Sequence, residues 1–119
     1  EKMISFHVKH NSPFITNLIS EIHDLDEFNN PNIVKLVKSK KNSILYLSRL
    51  PIPYNIKSSE NISLWKQLGL ILFTKDAVKK FSELEPTVLE IIESIDMNRF
   101  IENNIPIFIV YDSCALGTP

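Results

Sequence analysis

Glycine is scarce in this chain, with 2 in 119 residues against 7 prolines. A glycine-rich loop, whose bare backbone N–H groups cradle phosphate, is therefore missing from these residues. The single cysteine, Cys114, excludes an internal disulfide framework and cannot build a zinc cluster alone. It reads as an ordinary thiol of a reducing compartment. Charge of one sign is lacking too: the formal net charge is −1, which argues against a basic nucleic-acid surface. The longest apolar stretches, Leu68–Phe73 and Ile105–Tyr111, fall far short of the roughly 20 residues that a membrane-spanning helix needs. No signal peptide is visible. The expectation is a cytoplasmic protein with no membrane and no nucleic-acid partner. Catalytic signatures are equally thin. There is no Gly-x-Ser-x-Gly and no Cys–His arrangement. His7, His10 and His23 have no supporting Glu, Cys or histidine at metal-ligand spacing.

What is present suits one globular domain over residues 1–119. The chain is 44% hydrophobic and 23% charged, close to globular averages, and long enough for an adequate core. Its probable-loop ending and its Glu1 start suggest an internal fragment of a larger protein. Phe14–Ile22 reads as a strand. Asp24–Asn32, acidic and asparagine-rich, ends in the turn signal Asn-Pro-Asn. The runs 33–37 and 43–47 flank the polar turn 38–42 and predict a β-hairpin. Residues 55–64 read as a loop, and Trp65–Phe73 as a buried apolar strand. Lys75–Leu84 has helical spacing, with Thr74 or Asp76 available to cap its first turn. Pro86 suits the first turn of a second helix, which keeps Val88, Ile91, Ile92, Ile95 and Phe100 in register to about residues 103–104. Pro106–Tyr111 is a last strand. Strands first, then strand–helix–helix–strand, predict an α/β domain with a mixed sheet and at least one crossover. Helices covering only part of such a sheet leave apolar surface for another domain half or a second subunit.

Two segments carry the chemistry. In Leu47-Ser-Arg-Leu-Pro-Ile-Pro-Tyr54 a cation follows a strand and two prolines stiffen what comes next. Held there, the Arg49 guanidinium can grip a carboxylate or phosphate with two parallel hydrogen bonds. The competing local reading, a surface arginine paired with an acidic neighbour, is the stronger on this segment alone. In Pro86–Arg99, Glu90, Glu93 and Met97 share a helical stripe with Asp96 and Arg99 beside it. Carboxylates so placed can bind sugar hydroxyls. The competing reading, the solvated face of an amphipathic helix with Glu90 near its positive end, is the stronger on this segment alone.

The order of these segments resembles the cytidylyltransferases that activate 3-deoxy-manno-octulosonate (Kdo) and related 2-keto sugar acids. Phe28-Asn-Asn-Pro-Asn-Ile-Val-Lys-Leu-Val37 is similar to that family's Asn-Pro-Asn-x-Val-Lys-x-Val strand, and Ile44–Tyr54 to its aromatic-x-Ser-Arg-x-x-Ile-Pro segment. Lys66-Gln-Leu-Gly69 stands in place of a basic-His-x-Gly strand start, Pro86–Arg99 resembles the sugar-contacting helix, and Gly117-Thr-Pro119 an Asp-Thr-Pro motif. The resemblance implies the C-terminal, sugar-binding part of a Rossmann-like nucleotidyltransferase fold, with a β-hairpin arm through which the family forms homodimers. It implies a substrate site shaped by Ser48, Arg49, Gln67, Glu90 and Glu93, with CTP and a keto-sugar acid as partners and magnesium as cofactor of the intact enzyme. Such enzymes join CTP to the sugar acid and release pyrophosphate, a step of lipopolysaccharide biosynthesis.

The chain also departs from the pattern. Gly117 stands where a metal-binding aspartate is expected, Gln67 where a histidine is, Ile71 and Phe73 where tyrosines are, and Met97 where the best-known branch has glutamine. These departures imply a divergent branch, whose sugar can differ. Alternative readings are a nucleotidyltransferase for another sugar and a non-catalytic dimerisation or regulatory module.

Overall fold

A computed structural model describes residues 15–55 and 62–112. His7, His10, Cys114, most of the expected 55–64 loop and the Gly117-Thr-Pro119 motif lie outside the described residues. The elements, in order, are β1 (Ile15–Glu21), α1 (Leu25–Asn29), β2 (Lys35–Lys38), β3 (Ile44–Ser48), β4 (Trp65–Phe73), α2 (Lys75–Glu83), α3 (Val88–Glu93), α4 (Asn98–Glu102) and β5 (Phe108–Tyr111).

The strands form one five-stranded mixed sheet in the order β3-β2-β4-β1-β5. β4 runs antiparallel to both β1 and β2, so β1 and β2 point the same way and the chain between them crosses over β4. β5 returns parallel to β1. The predicted hairpin is β2–β3, with Lys35 opposite Ser48 and Leu36 opposite Leu47. Its turn reaches back to the far side of the sheet. Ser43 bridges Phe108, the Ile44 N–H donates to the Ile107 carbonyl at 2.9 Å, and the Ile109 N–H donates to the Asn42 carbonyl at 3.0 Å.

The core lies between the sheet and α2–α4. Ile15, Ile19, Leu36, Leu47, Phe100 and Ile107 are fully buried there. Phe100 also takes ring contacts from Phe73 and Phe81. α2 opens as expected: Thr74, not Asp76, caps it by accepting the Ala77 N–H at 3.1 Å.

Three local expectations are corrected. Asp24–Asn32 is not simply a turn, because Asp24 accepts the Glu27 N–H at 2.7 Å and starts the short helix α1. β4 is not a strand buried on both faces: Gly69, Leu70 and Phe73 are exposed and the rest of it is half-buried. A continuous apolar run says only that water is disfavoured, and here the helices leave part of the strand uncovered. The helix expected from Pro86 to about residue 103 is two helices. Pro86 precedes the N-cap Thr87, and Ser94 turns left-handed (φ 58°) to end α3 before α4 starts at Asn98. In consequence Val88, Ile91 and Ile92 are exposed, while Ile95 and Phe100 are buried.

Candidate functional site

The break between α3 and α4 forms one wall of an open cleft on the sheet. The cleft holds about 420 Å³ and is lined by Val34, Arg49, Gln67, Ile71, Asp96 and Met97, among others. An adjoining hollow of about 310 Å³ shares Val34, Gln67 and Ile71 and extends to Asn32 and Gly69. Gln67 thus sits at the centre of a groove running from the Asn32 loop to the helix break. Its amide is aimed by a partner on β1: Gln67 Nε2 donates to Asn17 Oδ1 at 2.6 Å. Asn17 is fully buried beside a bulge in the β1–β4 pairing, and its own amide N–H groups are spent on the carbonyls of Leu18 and Leu68. Gln67 brings a side-chain amide, able to bond hydroxyl groups, to the lining of the cleft.

Arg49 lies at the end of β3, as its sequence position requires, and it reaches the cleft. Its guanidinium is already engaged with backbone. Nε donates to the Glu93 carbonyl at 2.7 Å, Nη2 to the Ser94 carbonyl at 2.8 Å and Nη1 to the Pro31 carbonyl at 3.0 Å. Three of its five N–H groups are therefore committed. It is neither the surface ion pair nor the free cation of the two sequence readings.

Ser48, Glu90 and Glu93 do not line the cleft; they stand behind it. The Glu93 carboxylate accepts the Ser48 hydroxyl at 2.6 Å, the Arg49 N–H at 3.0 Å and the Tyr46 hydroxyl at 3.1 Å. Burial pushes this carboxyl up, but the donated hydrogen bonds and the Arg49 charge outweigh it, and Glu93 titrates below the usual carboxylate range. The same contact, with burial leading, raises the Tyr46 hydroxyl. Glu90 is buried and forked with Arg99, at 2.8 Å from Nε and 2.7 Å from Nη2, and it also accepts the Thr87 N–H at 3.1 Å. Hydrogen bonding from Arg99 is the chief reason its carboxyl is depressed. The Arg99 guanidinium also lies 3.9 Å from the centre of the Phe81 ring.

Sequence reasoning did not single out Val34 or Asn17, and placed Asp96 only beside the stripe, along with Arg99. Arg99 pairs with Glu90, and Asp96 is exposed in the cleft. The signal for Asp96 was its place one step off the Glu90–Glu93 stripe. It reaches the cleft because Ser94 changes the helical phase. Lys35 was missed as well. It has no exposed surface, and its ammonium donates to the carbonyls of Asn30 and Ile33 at 2.7 and 2.6 Å. Desolvation lowers its pKa, the neighbouring Arg49 charge adds to this, and Glu93 opposes it. Among the described residues no group of three or more His, Cys, Asp or Glu could hold a metal ion. Nor is any helix there long and apolar enough to cross a membrane.

Comparison with known proteins bears on the family and the fold. Residues 1–107 match the family model described as cytidylyltransferase. The chain is 38% identical over 88 residues to the 3-deoxy-manno-octulosonate cytidylyltransferase of Christiangramia forsetii, covering 74% of this chain and 36% of that protein. It is 36% identical to that of Chloroherpeton thalassium (87% and 43% covered) and 38% identical to that of Thermodesulfovibrio yellowstonii (94% and 47% covered). The solved structure of CMP:2-keto-3-deoxy-manno-octonic acid synthetase complexed with CTP superposes with a TM-score of 0.85 at 24% identity, covering 92% of this chain and 45% of that one. That likeness establishes the α/β fold. The chain spans less than half the length of these relatives.

Proposed function

Because the chain belongs to the cytidylyltransferase family, we propose that it is the sugar-binding, C-terminal part of an enzyme that transfers CMP from CTP to a 2-keto-3-deoxy sugar acid. In that reaction the anomeric hydroxyl oxygen attacks the α-phosphorus, the bond to the β-phosphate oxygen breaks, and pyrophosphate leaves. The observation that carries the reading is the Gln67–Asp96 cleft. It sets an amide and a carboxylate against the apolar side chains of Val34, Ile71 and Met97, with a guanidinium at one end. Hydroxyl donors on one side and an apolar ring face on the other are what a sugar acid offers such a surface.

Gln67 is the proposed direct substrate contact, with Asp96 and Met97 beside it, and Arg49 closes one end of the cleft. Ser48, Glu90 and Glu93 serve the same site from behind by holding Arg49 and the helix break. In the intact protein CTP is the co-substrate, magnesium would supply charge neutralisation at the phosphates, and two copies form a homodimer through the hairpin arm in the cytoplasm. No cluster of three or more candidate ligands gathers among the described residues, and a magnesium ion held by one or two carboxylates and phosphate oxygens needs none. Lipopolysaccharide biosynthesis follows if the sugar is Kdo. A second reading, a non-catalytic assembly module, is favoured by the commitment of Arg49 and both glutamates to internal bonds.

Pyrophosphate release by the intact protein, with CTP and a panel of keto-sugar acids, separates the two. Release with one sugar acid supports the enzyme. A folded protein that releases none with any of them leaves the module.

A further inference from the structure

We infer that Arg49, Lys35 and Glu93 form a charged brace that sets the spacing between the two walls of the Gln67 cleft. One wall is the Asn30–Val34 loop. Its carbonyls at Asn30 and Ile33 are bound by the Lys35 ammonium, and its Pro31 carbonyl by Arg49 Nη1. The other wall is the Ser94–Met97 break, whose entry is bound at the Glu93 and Ser94 carbonyls by the same guanidinium. The Glu93 carboxylate fastens the centre of the brace to β3 through Ser48, Tyr46 and the Arg49 N–H.

The chemistry favours a brace over a free binding cation. Helix α3 ends in carbonyls that have no intrahelical partner, and a cation there is stabilised by the helix dipole. A guanidinium is a planar fork whose N–H groups point in fixed, divergent directions, so one side chain can hold two chain segments at a set distance. An ammonium on a flexible stem cannot. Lys35 is fully buried and spends its donors on carbonyls of a single loop. A buried ammonium with so local a set of partners holds that loop in one conformation, since any other leaves its charge without acceptors. Arg49, Lys35 and Glu93 are thus positioning residues for the walls that carry Val34, Asp96 and Met97. The effect on substrate rests on the sugar-site reading above; the coupling of the walls does not.

The test is Arg49→Lys in the intact protein, which keeps the charge and removes the fork. Amide hydrogen exchange, without substrate, is expected to speed up about tenfold at both Ile33 and Ile95, as a lost charge-assisted hydrogen bond implies. Val78 in α2 should be unchanged. Acceleration at one wall alone, or at neither, overturns the brace. In turnover, the KM for the sugar acid should rise about tenfold while that for CTP stays within about twofold. Equal rises in both overturn the positioning role. If Arg49→Lys does not fold, Lys35→Met gives the same decision at Ile33, where an unchanged exchange rate counts against the brace. A wild-type protein that releases no pyrophosphate argues against the sugar-site reading alone, because hydrogen exchange still decides the brace.

Discussion

Glu90 shows how a residue that reads as a solvated carboxylate becomes part of the core. It is 7% exposed and bound to both the Nε and Nη2 groups of Arg99. Its pKa is lowered from the ordinary 4.5, chiefly by the Arg99 hydrogen bonds. A depressed carboxylate contributes stability that is fully present above its unfolded-state pKa and is lost as pH falls through the folded one. Glu90→Gln should therefore leave less stability to lose below about pH 4.5, flattening the acid limb of urea-unfolding midpoints against pH. An acid limb of unchanged slope would count against this. Phe100 is the opposite case, apolar and fully buried in the core. Phe100→Ala should cost about 3–5 kcal/mol in equilibrium unfolding, the range for emptying a buried aromatic site. Phe100 could be assigned to the core from helical spacing. Lys35, Asn17 and Asn98 could not, because a polar residue in a strand or helix pattern points to solvent unless its partners are known. Those partners are distant or irregular: Asn98 donates to the Leu47 carbonyl across 51 residues, and Lys35 to a loop with no repeating pattern.

At the scale of elements, most of what could be read locally was read correctly, the Asp24-capped helix α1 being an exception. β1, the β2–β3 hairpin, β5 and the Thr74-capped α2 each have alternation, helical spacing or a capping side chain within their own stretch. The break at Ser94 does not. Ser94 is no strong helix breaker, and it adopts φ 58° where the Arg49 guanidinium, 45 residues away in sequence, takes up its carbonyl. The apolar spacing from Val88 to Phe100 concealed this, and with it the position of Asp96. A left-handed conformation costs a residue with a Cβ about 1–2 kcal/mol and glycine little. Ser94 already bears this cost, so Ser94→Gly should raise stability by up to about 1 kcal/mol in urea titration, while the branched Cβ of Ser94→Val should lower it. Loss of stability in the glycine variant would mean that the Ser94 side chain, and not its backbone, makes the turn.

For the whole molecule, the sequence resemblance and the family match agree, and the sheet and helices agree with the superposed synthetase fold. The chain accounts for less than half of its relatives' length, and with 2 glycines in 119 residues its sequence has no glycine-rich loop. If the intact protein releases pyrophosphate from CTP as proposed, the 119 residues alone should not do so under the same conditions. Turnover by the isolated chain would overturn this division of labour. The sheet itself has a further consequence. A five-stranded sheet ordinarily leaves two rows of unpaired backbone groups, at its first and last strands, open to any passing extended peptide. Here the start of β3 is paired with the chain around β5 through Ile44, Ile107, Asn42 and Ile109, and the Leu47 carbonyl is occupied by the Asn98 side chain. The contacts that curl the sheet thus also blunt its outer rim against runaway strand addition. A partner approaching that rim must be recognised by side chains, because the backbone there is already spoken for.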